Sequence, residues 1–234
     1  MFVAGRLLRP DAEWRLEVAG RRPYGDPVLL EDRCSYITFI HSLRARNMLR
    51  FRRRRLGHAG IFFVKKKNGG LRLIVDGRIG NCILAPPPKV HLASSGTFAE
   101  LRVDSADPFF LSALDVENAF HNYEIPEWLS ELYGLNAVTA GEMDITSLDG
   151  VPLPPDTKIY PCMKSLPMGC SWAVEWCQDS HMELLLASGA LGPSQVLTDF
   201  RPPARINKDS TVGTNTVPRQ RDLHIAVTWS RGRC

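Results

Sequence analysis

Asp115 is the residue with the plainest chemical potential, the one acid that closes the uncharged stretch Phe109-Phe110-Leu111-Ser112-Ala113-Leu114. Six uncharged residues following Asp107-Pro108 predict a buried strand. Asp115 would then stand at the strand's C-terminal lip, where open α/β sheets hold their ligands. A carboxylate there can bind a hard divalent cation such as magnesium together with phosphates. It can equally cap the helical pattern that follows, because Asp is a favoured N-cap. A second feature is cationic. Lys65, Lys66, Lys67 and Arg72 flank Asn68-Gly69, and two β-rich runs on either side make this a strong hairpin signal. Cations gathered near one tip suit the clamping of a triphosphate by charge and hydrogen bonds, although an ordinary charged hairpin has the same sequence. Asp76 and Arg78 are spaced to form an ion pair at the hairpin's base, with Asn81 just beyond.

A third feature lies at Leu166-Pro167-Met168-Gly169-Cys170-Ser171-Trp172-Ala173. Pro167 and Gly169 break the chain, Ser171 is suited to cap a helix running to about Ser188, and Gly189 supplies the stop. Gly169 ahead of a helix leaves backbone N–H groups open to a ligand. Trp172, Trp176 and Leu184 to Leu186 are expected on that helix's apolar face, packing rather than stacking on bases.

These features need a frame. In 234 residues with 44% hydrophobic content there is room for one or two domains with a real core. No run approaches the roughly 20 apolar residues of a membrane helix. Arg6 and Arg9 stand where a secretory signal would be apolar, so an intracellular site, cytoplasm or nucleus, is expected. Six cysteines without a CxxC pair argue against a zinc knuckle or a disulfide framework. Charge is divided along the chain. Residues 1–89 hold 19 Lys/Arg against 7 Asp/Glu, and residues 90–234 hold 10 against 18. A basic half joined to an acidic half suits a protein that grips polyanions with one part and metal ions with the other.

The expected elements follow in order. Apolar positions Ile37, Ile40, Leu43 and Met48 predict a helix from about Leu29 to Leu49, extended by the run Arg52-Arg53-Arg54-Arg55. That run suits either phosphate contacts or a localisation signal. Pro86-Pro87-Pro88 reads as a stiff linker. Pro126 predicts a turn into a short helix, and residues 136–158 read as a variable loop. Past Leu191 only Leu223 to Trp229 hints at a strand, so residues 200–234 are expected to be largely irregular. The divisions are a basic-helix extension over 1–58, a hairpin region over 59–108, the Asp115 region over 109–190 and a tail over 191–234.

Three blocks in this order resemble the reverse transcriptase domain of retroelements. Lys65-Lys66-Lys67-Asn68-Gly69-Gly70-Leu71-Arg72 with Asp76, Arg78 and Asn81 is similar to its fingers motif. Asp115-Val116-Glu117-Asn118-Ala119-Phe120 is similar to its first palm motif, and Leu166 to Ala173 to its L-P-x-G-x-S-x-A motif. The resemblance covers roughly Gly60 to Ser188 and implies an α+β fold, the fingers and partial palm of a right-hand polymerase, with an antiparallel sheet backed by helices. It implies RNA-directed DNA polymerase ancestry, a template-primer and deoxynucleoside triphosphates as partners, and Mg2+ as cofactor. Asp115 would then hold the metal and be the catalytic residue. Arg72 and one of Lys65 or Lys66 would meet the triphosphate, Phe120 would stand against the ribose 2′-hydroxyl, and Met168 and Gly169 would lie beside nucleotide and template. Arg52, Arg53, Arg54, Arg55 and Arg78 are the candidate contacts to nucleic acid. One departure stands out: the family's third palm motif, Y-x-D-D, has no counterpart, since no Asp-Asp pair occurs in the sequence. Two-metal phosphoryl transfer needs carboxylates on both sides of the metal pair, so turnover is expected to fail. The sequence after about Gly192 reads as a truncated end, and a nucleic-acid-binding remnant of a mobile element is the alternative.

Overall fold

The strand Lys158–Met163 organises the first of two compact units, because Ile159, Cys162 and Met163 are completely buried along it. In the computed structural model the described residues are 7–67, 69–90, 92–103, 110–112, 116, 118–189, 192–199, 205–206, 212–213 and 226–228. One unit comprises residues 1–86 and 118–173, the other residues 87–117 and 174–234. No helix among the described residues is long and apolar enough to cross a membrane.

The first unit begins with α1 (Asp11–Val18), α2 (Pro27–Glu31) and α3 (Arg33–Ala45). The single helix expected over 29–49 therefore divides and ends early. Asp32 stays extended between α2 and α3, and its carboxylate accepts the Cys34 N–H at 3.0 Å, capping the second piece. Tyr36, Ile40 and Leu43 are the face that α3 buries. Asn47 then takes a left-handed φ of 56°, and β1 (Leu49–Arg52) follows as a strand. Arg50 and Arg52 are thus strand residues, not an extension of the helix.

The hairpin of β2 (Gly60–Lys65) and β3 (Leu71–Asp76) leads into α4 (Arg78–Ile83). Gly69 turns it at φ +83°, a conformation glycine adopts without penalty. In the second unit come α5 (Ser95–Ala99), β4 (Arg102–Val103) and β5 (Phe110–Ser112). Back in the first unit, α6 (Glu127–Ser130) follows Pro126, as the sequence predicts.

Residues 136–158 are not a variable loop. They form β6 (Val138–Thr139) and a small hairpin of β7 (Ser147–Leu148) and β8 (Val151–Pro152). Val138, Ala140, Met143 and Leu153 are buried. Main-chain bonds Ala140 N–H to Thr157 O and Leu153 N–H to Thr146 O hold the segment down. Its polar residues work as turn formers: Asp144, Asp149 and Gly150 all adopt left-handed φ. β9 (Lys158–Met163) pairs antiparallel with β1 on one side and β6 on the other, with Leu49 opposite Met163 and Val138 opposite Ile159.

In the second unit, α7 (Ala173–Ala187) occupies the predicted helix, and Gly189 at φ +70° follows its end. Trp176 and Cys177 are buried, whereas Leu184 is 68% exposed, so the apolar face is narrower than expected. β5 pairs with β12 (Ala226–Thr228), which also pairs with β11 (Val212–Gly213), and β10 (Arg205–Ile206) runs parallel to β4. Of residues 200–234 only those in β10, β11 and β12 are described, and β12 falls within the predicted Leu223 to Trp229 stretch. The architecture is mixed, built on small sheets that are antiparallel apart from the β4–β10 pair. Asp115, at the end of the predicted strand, lies outside the described residues.

Candidate functional site

Alternation along the hairpin separates two faces. Ile61 and Val75 point inward and are buried. The register Phe62↔Ile74, Val64↔Arg72 and Gly60↔Asp76 puts Phe62, Ile74, Asp76 and Arg72 together on the other face. Near the hairpin's base that face lines a cleft of about 370 Å³, completed by Tyr24, Val75, Gly77, Arg78 and Gly169. This is the size range of small-ligand sites. The Tyr24 ring meets Phe62 edge-on, centroids 5.0 Å apart at 76°.

The anticipated Asp76–Arg78 ion pair is present and bidentate. Arg78 Nε donates to Asp76 Oδ1 at 2.8 Å, and Arg78 Nη2 donates to Oδ2 at 2.7 Å. The Tyr24 N–H adds a third bond to Oδ2 at 2.6 Å. Asp76's side chain is 5% exposed and Arg78's 71%, so a buried carboxylate fixes an outward guanidinium. Arg78 first, then the Tyr24 and Arg78 amides, hold the Asp76 carboxyl below its ordinary range. A carboxylate depressed on folding stabilises above its unfolded pKa, and that stability is lost as pH falls through the folded value. Asp76→Asn is therefore expected to cost stability at pH 7, with the difference from wild type closing at strongly acid pH. Urea midpoints of both proteins at pH 7 and pH 3 measure this; an equal gap at both would contradict it.

The third sequence block arrives at the same place. A Cβ on Gly169 would lie 2.0 Å from Val75 O and 3.2 Å from Gly77 N, so only glycine lets this turn touch the hairpin's base. Asn81 on α4 then ties the two blocks. Its Nδ2 donates to Gly169 O at 2.7 Å, while its Oδ1 accepts the Ser171 N–H at 3.0 Å and the Tyr133 hydroxyl at 2.8 Å. Tyr133 is completely buried, which pushes its phenol well above its ordinary pKa and keeps it a donor.

Other predicted residues fall elsewhere. Lys65 and Lys66 are exposed at the hairpin's far end, and Arg72 is half-buried on β3. Phe120 sits half-buried in a 3-10 turn over Ala119–Asn122, and Met168 is half-buried; neither lines the cleft. Arg52 pairs with Glu127 at 3.2 Å and with the buried Glu131 at 3.3 Å, and Arg54 also reaches Glu131 at 3.3 Å. Arg55 donates to Leu135 O and lies over the Tyr160 ring, while Arg53 is exposed. Much of the basic run is thus occupied within the protein. Asp199 accepts the Ser94 N–H at 2.7 Å and the Thr97 hydroxyl, so it anchors the start of α5. Among the described residues no three His, Cys, Asp or Glu side chains gather where they could hold a metal ion, and Asp115, to which the resemblance assigns magnesium, lies outside them.

The chain is similar to foamy viral protease-reverse transcriptase. One structure of that protein in complex with double-stranded DNA matches at TM-score 0.46 and 17% identity, over 71% of this chain and 25% of that one. A second such complex matches at 0.47 and 17%, over 71% and 29%. The native prototype foamy virus protein matches at 0.45 and 19%, over 71% and 19%. The chain thus spans less than a third of the length of these solved chains. No protein-family model and no curated protein sequence matches it. At these scores, the reading of the site rests on its own residues.

Residue patterns alone missed Tyr24, Phe62, Ile74 and Tyr133. Pleat parity within the hairpin would have found Phe62 and Ile74 beside Asp76. Tyr24 lies between Gly20 and Pro27 in a segment without periodicity, and nothing in the sequence singles it out.

Proposed function

We propose that this chain is a reverse-transcriptase-like fragment that binds nucleic acid through the hairpin cleft and does not extend primers as it stands. The observation that carries the reading is Asn81, which joins the fingers-like and L-P-M-G-C-S blocks by two hydrogen bonds, to Gly169 O and from the Ser171 N–H, and is steadied by a third from Tyr133. Blocks distant in sequence that resemble one family's motifs meet at one cleft. Aromatic rings beside an outward arginine provide what a single strand needs, a stacking surface and a phosphate contact. Arg78, braced by Asp76, is the phosphate contact at the base. Arg72 is the candidate contact for a nucleotide's phosphates. The pleat favours Lys66 over Lys65 as its companion, since the Lys66 N–H to Gly70 O bond continues the ladder and places Lys66 on Arg72's face.

The magnesium that the resemblance assigns to Asp115 remains a proposal about a residue outside those described, and no step is derived through it. The expectation that turnover fails is supported by the lack of an Asp-Asp pair in the sequence. Metal-dependent primer extension on an RNA template is expected to be undetectable. Incorporation that disappears in Asp115→Asn would overturn inactivity while upholding the family.

Binding has its own test. Anisotropy of a labelled RNA–DNA hybrid is expected to weaken with salt, and Arg72→Ala or Arg78→Ala should each flatten the logarithmic slope by about 1. Neutralising Arg52 to Arg55 together should flatten it by less than the about 3.6 expected of four full phosphate contacts, because Arg52 and Arg54 already face carboxylates. A salt-independent signal would contradict the reading.

A further inference from the structure

The cleft's Tyr24 wall comes from a segment with no helix or strand of its own. Residues 21–26 cross the base of the hairpin after Gly20, which turns at φ +75°. Main-chain contacts pin the segment. The Tyr24 N–H donates to Asp76 Oδ2 at 2.6 Å, and the Asp26 N–H donates to Ile61 O at 2.7 Å. A Cβ on Gly60 would lie 1.9 Å from Tyr24 O, so β2 has been left bare where the segment lies against it. Arg21 reaches Cys82 Sγ at 3.7 Å, and Arg21, Arg22 and Tyr24 are exposed. An exposed Arg21-Arg22 stretch leading into two contacts at the base, at Tyr24 and Asp26, describes a strap that local opening can lift.

We infer that residues 21–26 are a strap whose docking completes the cleft, held by the Asp76 carboxylate, so that strap closure and ligand binding reinforce each other. The inference rests on the nucleic-acid reading above, and it adds what regulates that site. With the strap lifted, the cleft loses the Tyr24 ring and Asp76 loses a donor, while Arg78 keeps its brace. A single strand stacked against Tyr24 and Phe62 binds only the closed form. Linkage then requires that the ligand stabilise closure by the same factor that closure contributes to affinity.

Limited trypsin digestion of the full chain reads the opening directly at the Arg21–Arg22 bond, while cleavage after Lys164 reports global unfolding. At a concentration of labelled oligothymidylate ten times its Kd, cleavage at Arg21 is expected to slow about tenfold. Without ligand, Asp76→Asn replaces a charge-assisted bond by a neutral one and is expected to speed that cleavage about five- to tenfold, with Lys164 still protected. Tyr24→Ala keeps the N–H and should weaken oligonucleotide binding far more than it speeds cleavage. Bound oligonucleotide with no protection at Arg21 would overturn the coupling while leaving the binding reading intact. Absence of binding would overturn both. An unchanged ligand-free rate in both Asp76→Asn and Gly60→Ala would show that nothing at the hairpin's base holds the strap.

Discussion

Gly169→Ala is expected to destabilise the protein by about 3 kcal/mol, at the upper end for overpacking, because the added methyl meets main chain and not a side chain that can turn away. The nearest atom, Val75 O, would stand 2.0 Å from the new Cβ, and Gly77 N 3.2 Å. Relief requires the Leu166–Ser171 turn to leave the hairpin, and that movement also pulls Gly169 O off Asn81. Denaturant midpoints measure the loss, and anisotropy on the same variant should show weakened nucleic-acid binding. A variant within about 0.5 kcal/mol of wild type, the range of an ordinary surface change, would mean that the two blocks are not in contact.

Asn81→Ala should cost about 2–4 kcal/mol, since it leaves the Gly169 carbonyl and the buried Tyr133 hydroxyl without the partner that now serves both. The effect is separable. In Tyr133→Phe the phenol that needs Asn81 is gone, so Asn81→Ala should cost less there than in wild type. A coupling of about 1 kcal/mol between the two changes is expected from a double-mutant cycle. Strict additivity would show that the hydroxyl and amide do not share a bond in solution.

Both effects depend on close approach, which a residue pattern does not display. The hairpin was legible because Asn68-Gly69 between β-rich runs has a local cause in turn geometry. The helix ending before Gly189 was legible for the same reason. What failed was long-range. Leu49 to Arg52 reads as a continuation of α3, yet pairing with β9 draws it into a strand, since tertiary contacts override local preference. Residues 136–158 read as a loop because their polar residues are turn formers, while Val138, Ala140 and Met143 pack inward at spacings matching no regular period. At the site, Asp76, Arg78 and Asn81 were visible as a spaced triplet, and the first two as a pair. That Asn81 clasps a turn 88 residues away could not be read from their spacing. The Arg52 to Arg55 run illustrates the opposite error. As sequence it is a block of positive charge, whereas in the fold Glu127 and Glu131 answer part of it.

Photo-crosslinking would locate a bound strand outright. A bromodeoxyuridine-containing oligonucleotide, irradiated with the full chain and mapped by mass spectrometry, is expected to attach to peptides carrying Tyr24 or Phe62. Attachment should fall when Arg78 is replaced by alanine. Crosslinks confined to the Arg52–Arg55 face or to Trp172 and Trp176, with none at the hairpin's base, would contradict the assignment of this cleft.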